Sequence, residues 1–73
     1  MSRQITFVIR AGNDRYFVET FEAEGPNQAV RAAFREYPRR CGYAIVDLKD
    51  GPVAADVQGK IYSNLGEASL ALV

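Results

Sequence analysis

The sequence predicts a small α+β domain, in which one helix packs on one face of an antiparallel sheet. Two observations support this fold class. Three short segments, at 3–10, 15–24 and 43–48, are rich in β-branched and aromatic residues, and an apolar pattern of helical period lies at 26–37. A chain of 73 residues forms one domain at most, because it buries only about 60% of its unfolded surface.

The first two segments are typical of a β-hairpin. In the first strand, Ile5, Phe7 and Ile9 share one face of the extended chain. The sequence Ala-Gly-Asn-Asp at 11–14 supplies residues that tolerate turn conformations with positive φ. The second strand therefore follows the first through a tight connection.

The alternation of the second strand is interrupted by a charged residue. Glu19 has the same parity as Phe17, Phe21 and Ala23, which would place a carboxylate among apolar side chains. Two explanations remain open: Glu19 lies near an edge of the sheet, or a bulge changes the register.

The helix has signals at both ends. Gly25 suits the N-cap, Pro26 suits the first helical position, and Gln28 lies near enough to satisfy free amides. Pro38 disfavours helical geometry at the residue before it, so the helix ends there. The predicted buried stripe consists of Val30, Ala33, Phe34 and Tyr37.

The third strand, at 43–48, completes a ββαβ pattern. If it pairs antiparallel with the first strand, the most apolar strand becomes central and the order is 2-1-3. Residues 60–62 allow a further short strand, and beyond them no sustained period is visible. We therefore expect one domain at 1–62 and a flexible, partly disordered C-terminal tail at 63–73.

Composition argues against catalysis. Histidine is absent, which removes the usual general base and the commonest metal ligand, and a single cysteine does not build a zinc site. Cys41 lies beside two arginines that would favour a reactive thiolate, yet a plain, partly buried cysteine is the favoured interpretation. Glu22 and Glu24 fit a solvated strand face, and no glycine-rich phosphate motif occurs. We expect no enzyme activity, no cofactor, no metal and no small-molecule substrate.

The remaining composition favours a cytoplasmic monomer. The lone cysteine suits a reducing compartment, and the start Met-Ser-Arg-Gln-Ile lacks the apolar run of a signal peptide. No stretch approaches a membrane span, so we expect no membrane association. A formal net charge of zero and the absence of an RNA-recognition signature argue against direct nucleic-acid binding.

Two segments could form a recognition surface, because arginine and tyrosine are enriched in interface hot spots. One is the hairpin tip with its flanks, and the other is the corner that leads into the third strand. An edge strand can also accept a strand from another chain. The candidate partner-binding residues are Arg10, Asn13, Arg15, Tyr16, Arg39, Arg40 and Tyr43.

A longer pattern covers residues 15–48. A strand ends in Phe-Glu-Ala-Glu (21–24), an alanine-rich helix stops at Tyr-Pro (37–38), and the short strand Gly-Tyr-Ala-Ile-Val-Asp-Leu (42–48) follows. This pattern resembles small phage-encoded inhibitors of host bacterial RNA polymerase, including the transcription regulators of Xanthomonas phages. Some inhibitors of this kind carry a strongly acidic strip, which this chain lacks.

The resemblance implies a protein that binds a subunit of the host RNA polymerase, blocks initiation and, in some members, alters termination. Contact through the arginine-bearing hairpin or a sheet edge would fit better than DNA mimicry. Two alternatives remain: an inhibitor of another bacterial machine, such as a CRISPR complex, and a nucleic-acid-binding domain.

Overall fold

A computed structural model describes residues 2–72, which form a four-stranded antiparallel sheet with a helix on each face. The predicted α+β class is therefore confirmed. The elements, in chain order, are β1 (Arg3–Ala11), β2 (Arg15–Ala23), α1 (Pro26–Glu36), a 3-10 turn (Arg39–Cys41), β3 (Tyr43–Asp50), β4 (Ile61–Tyr62) and α2 (Leu65–Leu70).

The strand order is β3-β1-β2-β4. The predicted order 2-1-3 is confirmed, and the short strand β4 extends it by pairing with Tyr16 and Phe17 of β2. Thus β4 covers only the beginning of the outer side of β2. Within residues 2–72, no strand pairs with that side from Val18 to Ala23.

Strand β1 is central and is buried on both faces. Its residues Ile5, Phe7 and Ile9 point towards α1, as expected, whereas Val8 points to the opposite face. All are at most 1% exposed. Thr6 is equally buried, and its hydroxyl is satisfied by Thr20 Oγ1 and the Gly51 carbonyl, each at 2.8 Å.

The hairpin register resolves the position of Glu19. Pairing between β1 and β2 is uninterrupted from Arg3 opposite Ala23 to Ala11 opposite Arg15, so β2 has no bulge against β1. Glu19 instead lies beyond the two residues that β4 covers, where β2 is an edge strand. Of the two explanations, the edge position is the one observed.

The start and end of α1 agree with the sequence signals. Gly25 is the N-cap in an extended conformation, Pro26 begins the helix, and Gln28 Oε1 accepts a hydrogen bond from the Glu24 amide at 3.2 Å. The buried stripe differs slightly from the prediction. Ala29 is fully buried, whereas Phe34 is only half-buried and lies outside the core cluster. The side chains that pack on the sheet are those of Ala29, Val30, Ala33 and Tyr37.

Strand β3 runs to Asp50, two residues further than predicted, and contains a bulge. The register against β1 shifts between Val8 and Ile9, so Val46 is the extra residue. Its side chain and that of Asp47 both lie on the face away from α1, where Ser69 Oγ donates to Asp47 Oδ2 at 3.0 Å. The bulge therefore changes the alternation of β3 at its middle.

The second face of the sheet is covered by the C-terminal part of the chain, which the sequence analysis did not anticipate. Helix α2 places Ala68, which is fully buried, against Val8 and Val18, and Leu72 completes this second cluster. Asn64 Oδ1 caps α2 by accepting from the Glu67 amide at 2.8 Å. The flexibility expected for 63–73 stays a prediction, and Val73 lies outside the described residues.

Candidate functional site

The two segments singled out in the sequence meet at one end of the sheet. Ala11, at the end of β1, pairs with Arg15 on one side and with Tyr43 on the other. The Gly12 amide donates to the Gly42 carbonyl at 3.4 Å, which joins the hairpin tip to the corner before β3. We call this surface, residues 10–16 and 39–43, the basic end.

The predicted contact residues differ in exposure. Tyr16 and Tyr43 are half-buried, whereas the other five are exposed. The exposed five are Arg10, Asn13, Arg15, Arg39 and Arg40.

The arginines of the basic end are distributed around it. Strand alternation places Arg10 and its neighbour Tyr16 on the face of the sheet that α2 covers. Arg15 lies on the α1 face with Tyr43. Arg39 and Arg40 follow in the adjoining 3-10 turn. A partner that covers this end would therefore meet positive charge from several directions.

The charge of the basic end is not compensated within the described chain. It holds four arginines and a single acid, Asp14. The ion pair found between side chains of residues 2–72 joins Arg3 to Asp50, and the pairing of β1 with β2 and β3 puts it at the opposite end of the sheet. An acidic surface placed against this end would therefore meet an excess of positive charge.

Tyr43 is part of an aromatic cluster on the α1 face. Its ring contacts Tyr37 at 5.1 Å and Phe17 at 6.4 Å between centroids, and Phe17 contacts Tyr37 at 5.0 Å. The three rings meet edge to face, the arrangement that aromatic quadrupoles favour. Tyr43 is therefore a packing residue as well as a candidate contact, and the cluster holds the corner before β3 against the sheet.

Glu19 belongs to the same region. The Tyr37 hydroxyl donates to Glu19 Oε2 at 2.9 Å, which satisfies the carboxylate beside an apolar face. Burial, together with the hydrogen bond and the negative charge of Glu19, raises the pKa of Tyr37 to about 12. This pair was not predicted from the sequence, although an acid among the apolar residues of β2 indicated that a hydrogen-bond donor lies nearby.

Cys41 is exposed in the 3-10 turn, which corrects the expectation that it would be partly buried. The turn is only three residues long, and none of its residues is buried. Across the part of the chain that the structure describes, no three Cys, Asp or Glu side chains are grouped to hold a metal ion.

A shallow groove runs along the open edge of β2, between that strand and α1. Its two adjoining parts have volumes of about 380 and 330 Å³ and share Glu22, Ala32 and Arg35. Both are open to solvent along their length.

None of the helices formed by residues 2–72 is both long and apolar enough to cross a membrane. Comparison with known proteins finds no matching family model, no matching curated protein and no matching solved structure.

Proposed function

We propose that this chain is a binding protein without catalytic activity, which attaches to an acidic surface of a larger protein through its basic end. The observation that carries the proposal is the gathering of Arg10, Arg15, Arg39 and Arg40 at one end of the sheet without acidic partners in residues 2–72. Arginine forms bidentate bonds with carboxylates, so such a cluster favours a partner rich in Asp and Glu.

The partner that we propose is a subunit of bacterial RNA polymerase, and the effect is inhibition or redirection of transcription. Support for this partner comes from the resemblance of residues 15–48 to phage-encoded polymerase inhibitors. The chain would then act in the cytoplasm of the host bacterium, as a monomer.

The backbone of the basic end supports a preformed contact surface. The hydrogen bond from Gly12 to Gly42 and the pairing of Ala11 with Tyr43 fix the hairpin tip against the corner. The aromatic cluster beneath Tyr43 adds further support. A rigid surface loses less conformational entropy on binding than a mobile loop.

The test is an affinity pull-down from bacterial lysate with the tagged full chain, after nuclease treatment. Recovery of RNA polymerase subunits is the expected result. The double variant Arg10→Ala/Arg15→Ala should lose this recovery. A matched control, Arg3→Ala/Lys49→Ala, removes the same charge away from the basic end and should retain it.

Other results of the pull-down would each favour a different function or binding surface. Recovery of another complex would replace the polymerase but keep the binding surface, provided that the arginine variant still fails. Material that disappears on nuclease treatment would favour a nucleic-acid-binding domain, whose affinity falls steeply with added salt. Equal recovery by both double variants would remove the basic end from the site.

A further inference from the structure

A second surface, away from the basic end, has the geometry of a peptide site. Strand β2 has an outer side that β4 covers only at Tyr16 and Phe17. From Val18 to Ala23, its outward backbone groups have no strand partner within residues 2–72. An edge of this kind is ready to pair with an extended segment of another chain.

Helix α1 lies beside this edge and forms one side of the groove. It packs over β2 through Ala29 and Ala33, and the groove lies between its outer side and the strand. Ala32 lines both parts of the groove, and its small side chain leaves room between the helix and the strand at that point. A strand added to β2 would therefore place every second side chain in the groove, because side chains alternate between the two faces of a sheet.

The two ends of the groove differ in charge. The part near Ala23 is lined by Arg31 and Arg35, with Glu22 as its acid. The part near Thr20 is lined by Glu19, Glu22 and Glu36, with Arg35 as its base. Neither Arg31 nor Arg35 forms an ion pair in the described chain. The groove is thus positive at one end and negative at the other.

Along the helix axis, the separation of these charges is close to that of alternate residues in an extended peptide. Arg31 precedes Glu36 by five residues, which is about 7.5 Å along a helix axis. Two residues of a strand advance about 6.6 Å and return to the same face. An acidic and a basic side chain that stand two residues apart therefore suit the two ends of the groove.

The direction of the occupant follows from the sheet. All observed strand pairs are antiparallel, and antiparallel pairing is slightly more stable per residue than parallel pairing. A segment antiparallel to β2 runs from the Ala23 end, beside Arg31, towards Glu19 and Glu36. Its acidic residue must come first and its basic residue second.

We propose that the groove between β2 and α1 binds an extended segment of another protein by strand addition, and that the segment carries an acidic residue two positions before a basic one. This site is separate from the basic end and does not depend on the proposed polymerase partner. The contact area of a single short strand is small, so the binding is weak.

The experiment is an NMR titration of the isotope-labelled full chain with synthetic peptides. The probe is a capped heptapeptide of alternating valine and threonine, with glutamate and lysine placed two apart on one face. We expect shifts of the amide signals of residues 18–23 and 31–36. A peptide with glutamate and lysine exchanged should bind roughly tenfold more weakly, since both ends then meet like charge.

Charge reversal supplies the matched variant. Arg31→Glu/Arg35→Glu changes two exposed side chains of α1 and leaves the core intact. This variant should lose affinity for the glutamate–lysine peptide and gain affinity for a peptide with lysine at both positions. Methylation of the peptide amides that face β2 should abolish binding, because it removes the donors of the strand pairing.

Three results would overturn the proposal. One is the absence of saturable shifts for every peptide. Another is a set of shifts confined to the basic end or to β3. The last is equal binding of the methylated and unmethylated peptides, which would exclude strand addition.

Discussion

At the scale of single residues, Glu19 illustrates how a local anomaly is resolved by a distant partner. Its carboxylate shares a face with Phe17 and Phe21, and it is tolerated because the Tyr37 hydroxyl donates to it. Tyr37 also closes α1 and packs on Tyr43. A single phenol therefore links the edge of β2, the end of α1 and the beginning of β3.

We expect Tyr37→Phe to lower the free energy of unfolding by about 1 kcal/mol, because Glu19 keeps its half-buried position but loses its donor. Urea denaturation followed by circular dichroism measures the change. Tyr62→Phe is the control, since the Tyr62 hydroxyl makes no hydrogen bond to residues 2–72. A loss as large in the control would show that the Tyr37–Glu19 bond contributes nothing specific.

The same pair makes stability depend on alkaline pH. The pKa of Tyr37 is about 12 in the folded chain, against 10.0 for an ordinary tyrosine, so the folded chain retains this proton after the unfolded chain has lost it. This contribution to stability is fully present below pH 10 and is lost as the pH rises towards about 12. Urea midpoints measured across this range should fall more steeply for the wild type than for Tyr37→Phe. Parallel curves would contradict the raised pKa.

At the scale of elements, the junction between the 3-10 turn and β3 depends on a left-handed residue. Gly42 has φ of 93° and ends the turn, and its carbonyl accepts the Gly12 amide. A β-carbon built at Gly42 would meet no atom within 4 Å. Any cost of substitution there comes from the backbone conformation and not from crowding.

Gly42→Ala should therefore cost about 1–2 kcal/mol of stability, the penalty for an L-residue in the left-handed region. Gly42→Asn should recover part of this loss, because asparagine visits that region more readily. Thermal denaturation of the three proteins distinguishes them. Wild-type stability of the alanine variant would show that the junction does not require positive φ.

The strands and helices that could be predicted from the sequence are those with local sequence signals. The hairpin could be predicted from the turn residues between its strands, and α1 from Gly25-Pro26 and its apolar stripe. Each of these signals lies within or directly beside the element that it predicts. Helix α2 has six residues, including Gly66, and is too short for a visible period. It forms because Asn64 caps it and Ala68 is buried against β1 and β2, neither of which periodicity reveals.

Some features of the candidate site could also be predicted from the sequence, and others could not. The four arginines were proposed from residue type alone, and all four are exposed. The convergence of the two segments was not predictable from local patterns, since it depends on the pairing of Ala11 with Tyr43 across the sheet. The packing role of Tyr43 depends on Phe17 and Tyr37, which precede it by 26 and 6 positions.

At the scale of the whole molecule, both faces of the sheet are covered. Helix α1 packs on one face, and the C-terminal segment packs on the other. Val8 and Val18 are fully buried because Ala68 and Leu72 lie over them, together with Val53 and Val57 of the preceding loop. Residues beyond Tyr62 therefore contribute to the packing on this face. A sheet with one bare face would expose these valines to water.

A chain that ends at Tyr62 should lose roughly 2–4 kcal/mol of stability, the range for removing a large buried apolar side chain and its neighbours. It should also bind a hydrophobic dye at the uncovered face. Leu70→Ser is the control, because Leu70 is 73% exposed and its loss uncovers nothing. Unchanged stability after truncation would support the flexible tail that the sequence predicted.

The double burial of β1 has a consequence for the exchange of amide protons with deuterated solvent. Residues 5–9 lie between β2 and β3 and are shielded above and below, so the elements packed around them must separate before their amides are exposed. These amides should exchange only when the entire chain unfolds. Their exchange rates would then report the global free energy of unfolding directly, in native buffer and without denaturant.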